Sequence, residues 1–231
     1  MDDGQAVRQY RFRPAPGACD LLLVRHGESR PAAPGEEFPL LDGQADPPLH
    51  TEGLREAEAV AVRLEREEVS AIWVSPLTRT RQTAAPLLAR LGLEAVVEPD
   101  LREVHLGDWD GAEYRRRSRA DDPLVVEARA REDWGVLPGA ETMAELCVRV
   151  RRGVERIAST HPDQRVVAFV HGGVIGAALH LATGASPFTF VGAANASLNH
   201  LVVSPERWVL RRFNDTGHLD TDLDRPVEDL A

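Results

Sequence analysis

Two histidines of this chain occupy the same kind of position. The apolar run Leu21–Val24 ends in Arg25-His26-Gly27, and the run Val166–Val170 ends in His171-Gly172-Gly173. Each run has the length and unbroken apolar character of a buried strand. Each therefore delivers a histidine to its carboxyl end, followed by glycine, which lets the backbone turn sharply and approach a ligand closely. In an open α/β sheet, ligands sit beyond those ends. A third strand-like run, Ala71–Ser75, leads through Pro76-Leu77-Thr78 to Arg79, in the first turn of a helix. A cation there opposes the helix dipole, which points to an anion for it to meet. Arg25 and Arg79 offer two planar forks of the kind that suits a phosphate. The helix that follows Gly172-Gly173 turns free N–H groups toward the same place. The pattern predicts one anion pocket with two imidazoles converging on it.

Composition narrows the chemistry. All 27 basic residues are Arg and none is Lys, which removes the phosphate-binding loop of nucleotide hydrolases, Schiff-base enzymes and Ser–Lys hydrolases. The net charge of −10 is the opposite of a nucleic-acid binder's, so any anionic ligand must be held by a local positive pocket. Cys19 and Cys147 are too few for a disulfide framework or a cysteine zinc site. His50, His161, His180, His200 and His218 show no metal-ligand spacing and are read as structural. No metal and no cofactor is expected. The polar, Arg/Pro-rich N-terminus lacks the apolar core of a signal peptide, and no run approaches the ~18 apolar residues of a membrane span. The expected setting is cytoplasmic, with no membrane and no nucleic acid as partner. The oligomeric state stays open, a homodimer included.

Between two loose ends, Met1–Gly17 and Asp220–Ala231, strand-length runs alternate with helical patterns. The strands are expected at Asp20–Arg25, Ala71–Ser75, Ala95–Glu98, Val166–Val170, Ser197–Ser204 and Trp208–Asn214. Pro and Gly density makes 27–48 a long loop. Thr51 is expected to cap a helix with Leu54, Ala57, Ala61 and Leu64 on its apolar face. Thr78 is expected to cap another that Pro86 should kink. Thr142 should cap a third, with Met143, Leu146, Val150, Val154 and Ile157 as its buried stripe. Residues 107–139 are less regular and read as a helical insertion over the active site, where specificity should lie. The expected architecture is a single α/β domain: a mainly parallel, doubly wound sheet with helices on both faces. The division is an N-terminal extension at 1–19, the domain at 20–219 and an acidic tail at 220–231.

Leu23-Val24-Arg25-His26-Gly27-Glu28-Ser29 resembles the signature of the histidine phosphatase superfamily, also called phosphoglycerate mutase-like. Further segments resemble that family in the same order: Asp46-Pro47-Pro48-Leu49 with Glu52-Gly53, Ser75 to Thr80 with Gln82-Thr83-Ala84, Leu101-Arg102-Glu103 with Gly107 to Gly111, and Val170 to Ile175. Asn214 to Leu219 resembles a common family ending. The resemblance implies a metal-independent phosphomonoester hydrolase with a small-molecule substrate. It implies His26 as nucleophile, Arg25, Arg79 and His171 as the phosphate pocket, and Glu103 as proton donor and then base. Glu28, Glu36 and Glu37 are also near in sequence, and only family order selects Glu103. Glu28, His105 and Glu141 are candidates for the substrate rim, Glu141 doubling as a helix N-terminal acid. The run Arg115-Arg116-Arg117 with Arg119 is read as a solvated helix face, with attraction of an acidic substrate as the alternative. The family often carries Asn soon after Arg-His-Gly-Glu, where this chain has Arg30 and Pro31, so no contact is assigned to the loop 31–39. Leu106-Gly107-Asp108-Trp109-Asp110-Gly111 resembles the phosphatase branch. A mutase-type phosphotransferase and a phospho-ligand binding module without turnover are the rival readings.

Overall fold

The computed structural model describes residues 12–33 and 35–219. The first eleven residues and the acidic tail, read above as loose, lie outside the described residues. Phe12 already lies under the Arg211 guanidinium, 3.8 Å from ring centroid to Cζ.

Six strands form one sheet: β1 (Cys19–Arg25), β4 (Ala71–Val74), β5 (Ala95–Val97), β6 (Arg165–Val170), β7 (Leu198–Val203) and β8 (Trp208–Asp215). Their order is β5-β4-β6-β1-β7-β8; the first four run parallel, and β7 and β8 close one edge antiparallel. Alternation along the strands divides the core between two faces. Leu21 and Leu23 of β1 and Val166, Ala168 and Val170 of β6 face one side. That side is covered by α5 (Met143–Thr160) and α6 (Gly172–Thr183). Val24, Val167 and Phe169 face the other, under α1 (Thr51–Leu64) and α2 (Thr78–Leu91). This is the expected α/β architecture, and it puts the ends of β1, β4 and β6 side by side.

Thr142 caps α5 with a full capping box, its hydroxyl accepting from Glu145 N and the Glu145 carboxylate accepting from Thr142 N. Thr51 and Thr78 do not cap. Each is the first residue of its helix, after His50 and Leu77, and neither of those supplies a side-chain cap. At α2 the distant Asp46 does the work, accepting from both the N–H and the hydroxyl of Thr78 at 2.7 Å. Leu54 is 50% exposed, contrary to its expected place on the apolar face of α1. Gly53 faces inward instead: a Cβ there would lie 2.1 Å from the Glu28 carbonyl oxygen. The helix is turned so that bare backbone meets the loop after His26, and the buried stripe runs Gly53, Ala57, Val60, Ala61, Leu64.

The long loop 27–48 contains a small hairpin, β2 (Leu40–Leu41) with β3 (Gln44–Ala45), turned by Asp42 and Gly43, both at positive φ. The insertion folds as α3 (Glu113–Arg119) and α4 (Pro123–Arg131) between short 3-10 turns. Trp109, Tyr114, Val125, Trp134 and Leu137 are buried in the main core, so it is an integral part of one face.

Candidate active site

The floor of the site follows from the sheet order. Because β6 lies between β1 and β4, the residues leaving all three strands meet. The rings of His26 and His171 stand with centroids 5.2 Å apart and planes tilted by 59°. His26 Nδ1 is 2.7 Å from the Gly27 carbonyl oxygen. A carbonyl only accepts, so Nδ1 carries the proton and Nε2 keeps the lone pair. Burial, then Arg79 and Arg25, hold the His26 pKa well below its usual range, which keeps that lone pair free at neutral pH. Ala196 N and Asn195 Nδ2 donate to the His26 carbonyl, fixing the backbone from the loop before β7.

His171 is fully buried, and its Nε2 lies 2.7 Å from Ser75 Oγ, at the end of β4. Burial, then Arg79 and His26, push its pKa well down too. Among the described residues its Nδ1 has no hydrogen-bond partner, and neither has Arg25 Nε; both atoms are buried. Arg25 donates from Nη1 to the Ala193 carbonyl and lies against Gly172, the residue after His171. An orphaned buried donor costs on the order of 1–3 kcal/mol; Arg25 Nε, and His171 Nδ1 in the tautomer that protonates it, would both be satisfied by an acceptor-rich ligand. Arg79, 7% exposed, donates to the Ala45 carbonyl at 2.9 Å and stands 4.0 Å from Asp46. Burial lowers its pKa to about 10, against the opposing charges of Glu103 and Asp46. A desolvated cluster of fixed positive charge with a neutral imidazole nucleophile can bind a phosphoryl group and transfer it.

Glu103 reaches the site from the turn after β5. Its Oε1 accepts from Val104 N at 2.9 Å and from Gly173 N at 3.1 Å, at the first turn of α6. A Cβ at position 173 would sit 2.6 Å from that oxygen, so a side chain there would push the Glu103 carboxyl aside. The field of Glu103 is felt at both Arg25 and Arg79. The main-chain oxygen of Glu103 is held by Gln44 Nε2 at 2.6 Å and Arg149 Nη2 at 2.8 Å.

The rim candidates fall in different places. Glu28 is exposed, and its field reaches Arg115. His105 Nδ1 accepts from Gly107 N at 3.1 Å, and its Nε2 is 3.8 Å from Asp110. Glu141 is engaged by Arg149 through a two-point fork at 2.6 and 2.7 Å. The arginine run divides. Arg116 and Arg117 pair with Glu37, Glu113 and Asp122, and Arg119 is exposed, as a solvated face requires. Arg115 turns the other way: it donates to Ser29 Oγ at 2.7 Å and the Arg30 carbonyl at 3.1 Å, with its guanidinium 4.8 Å from the Phe38 ring. Its charge adds to those that depress His26 and Arg79. It has no carboxylate partner among the described residues.

Ser75, Gln44, Asp46 and Arg149 belong to this site, although the sequence assigned them no role. The Asp42-Gly43 hairpin signal was there to place Gln44 and Asp46; nothing local marks Arg149. No group of three or more His, Cys, Asp or Glu able to hold a metal occurs among the described residues.

A family model for the histidine phosphatase superfamily (branch 1) matches residues 21–216. The chain is 32% identical over 206 residues to the metal-independent phosphoserine phosphatase of Arabidopsis thaliana, covering 87% of this chain and 84% of that protein. It is 30% identical over 206 residues to phosphoglycerate mutase-like protein 4 of the same plant, covering 87% of each. Among solved structures, a mycobacterial glucosyl-3-phosphoglycerate phosphatase superposes with a TM-score of 0.70 at 29% identity, over 86% of this chain and all of that one.

Proposed function

Because the chain belongs to the histidine phosphatase superfamily and is a phosphatase, we propose that it hydrolyses a small phosphorylated metabolite through a phosphohistidine on His26, without a metal ion. The observation that carries this reading is the pair of buried nitrogens, Arg25 Nε and His171 Nδ1, with no partner among the described residues, together with an imidazole whose tautomer leaves Nε2 free. His26 Nε2 attacks phosphorus and the ester P–O bond breaks. The Glu103 carboxylate takes up a proton from the phosphate monoanion as the ester binds, and gives that proton to the leaving oxygen. Water then attacks the phosphohistidine, giving its proton to the Glu103 carboxylate, and the P–N bond breaks to release phosphate. Arg25 and Arg79 neutralise the equatorial oxygens throughout, and His171 contributes a hydrogen bond. In its neutral state His171 can donate from Nδ1 to a phosphate oxygen when Ser75 donates its hydroxyl proton to Nε2.

Arg115 supports an acidic substrate. It is the member of its run that turns toward Arg25 and lacks a carboxylate, so a carboxylate on the leaving group would complete it. The plant relative is named for phosphoserine and the mycobacterial one for glucosyl-3-phosphoglycerate, both of which carry a carboxylate. A free metabolite, rather than nucleic acid or a membrane, suits a chain of net charge −10 in the cytoplasm.

The test is turnover on an aryl phosphate and on a panel of phosphometabolites, with and without EDTA. Chelator-resistant release of phosphate, best from carboxylated esters, is expected. Activity lost to EDTA and restored by a divalent ion would overturn the metal-independent reading. Isomerisation of 3-phosphoglycerate primed by a bisphosphate, without net phosphate release, would favour the mutase reading that the mutase-like relative keeps open. Phosphate binding with no turnover on any ester would favour a binding module.

A further inference from the structure

Arg149, on α5, divides its guanidinium between Glu141 and the turn that carries Glu103. Nη1 donates to the Asp100 carbonyl at 2.9 Å and to the Arg102 carbonyl at 2.5 Å, and Nη2 to the Glu103 carbonyl at 2.8 Å. Nε and Nη2 also form the fork with Glu141, and the two side chains are only 17% and 14% exposed. Glu141 closes the clamp: its N–H donates to the His105 carbonyl at 2.8 Å, and its Oε2 accepts from His105 N at 3.3 Å. The backbone from Asp100 to His105 is therefore gripped on both sides of Glu103. Among the described residues the carboxyl of Glu103 is held only by the two N–H groups of Val104 and Gly173, so its position follows that of its backbone.

We infer that Arg149, locked by Glu141, is a positioning residue for the acid–base chemistry of Glu103. The inference rests on the role given to Glu103 above. The guanidinium need not touch substrate. It sets where the carboxyl stands relative to the leaving oxygen, and a misplacement of about 1 Å can cost ~10²-fold in rate. Lysine keeps the charge but cannot serve three carbonyls and a carboxylate at once. The same cation also helps to hold His171 neutral.

The experiment compares an alkyl phosphate, whose leaving group needs a proton, with nitrophenyl phosphate, which needs it far less. Single-turnover rates of Arg149→Lys and Glu141→Gln are measured alone and in the Glu103→Gln background. Arg149→Lys should lower the alkyl rate by ~10–100-fold and the aryl rate by less than ~3-fold. Glu141→Gln, which leaves Arg149 in place, should move the same ratio less, by ~3–10-fold. Once Glu103 is Gln, Arg149→Lys should leave the ratio where it is. Equal losses on both substrates, or a further change of the ratio without the Glu103 carboxyl, would reduce Arg149 to a structural staple and overturn the inference. If Arg149→Lys does not fold, the ratio in Glu141→Gln decides alone. A Glu103→Gln enzyme that fails to discriminate between the two esters would identify the acid assignment itself as wrong, separately from the clamp.

Discussion

The floor of the site and its roof are built by different means. The floor is three strand ends: His26 after β1, Ser75 after β4 and His171 after β6, with Arg25 and Arg79 beside them. Each is placed by its own strand, and parallel pairing brings the strands together. The roof is the loop 27–48 with the insertion and the turn at Glu103. Its polar groups are held by partners distant in sequence: Arg115 by Ser29, Asp46 by Thr78, and the Glu103 carbonyl by Gln44 and Arg149. In the mechanism proposed above, the nucleophile and the phosphate contacts belong to the floor, where rigidity is cheap, and the acid Glu103 belongs to the roof. The same proposal gives recognition of the leaving group to the roof, where single contacts can change without disturbing the sheet.

The comparison can be broken in order of effect. His26→Ala should abolish turnover on every ester, by ~10⁴-fold or more, while leaving the circular dichroism spectrum intact; comparable activity would remove the nucleophile from the floor. Glu103→Gln should cost ~10²–10⁴-fold on alkyl and sugar phosphates, with a smaller first-turnover loss on nitrophenyl phosphate. Equal losses would move the acid elsewhere, with Glu28 next to test. Arg115→Met should raise KM for carboxylated esters by ~10–100-fold, the worth of a charge-assisted hydrogen bond, and change KM for nitrophenyl phosphate far less. A uniform change across esters would return Arg115 to the common phosphate pocket.

The smallest effect concerns stability. His26 and His171 are depressed below 6.5 in the folded protein. Below that pH the unfolded chain binds more protons, so their contribution makes stability fall as pH drops and leaves it flat above. Each can contribute up to about 1.4 kcal/mol per pH unit in that window. Urea denaturation across it should show a shallower slope for His26→Gln than for wild type; identical slopes would mean that His26 is not held neutral.

The same division explains what could be read from the sequence. The floor was legible because strand, histidine and glycine are contiguous in the chain. Arg115 was not, because its run reads as one solvated face and only the approach of Ser29 and Phe38 separates it from Arg116 and Arg117. Thr51 and Thr78 looked like caps by type, but one is displaced by the close approach of Gly53 and Glu28, and the other is served by Asp46. Leu54 fell on the apolar stripe by spacing, yet the same bare-backbone contact turns it to solvent. Glu103 had family order to single it out, and the clamp that holds it comes from a helix 46 residues further along.

The central claim is the covalent intermediate. Enzyme mixed with radiolabelled substrate and quenched within a turnover should carry acid-labile, base-stable label, mapped by peptide sequencing to His26 and missing from His26→Ala. Label on another residue, or a full first turnover of phosphate release with no labelled protein at any quench time, would contradict it.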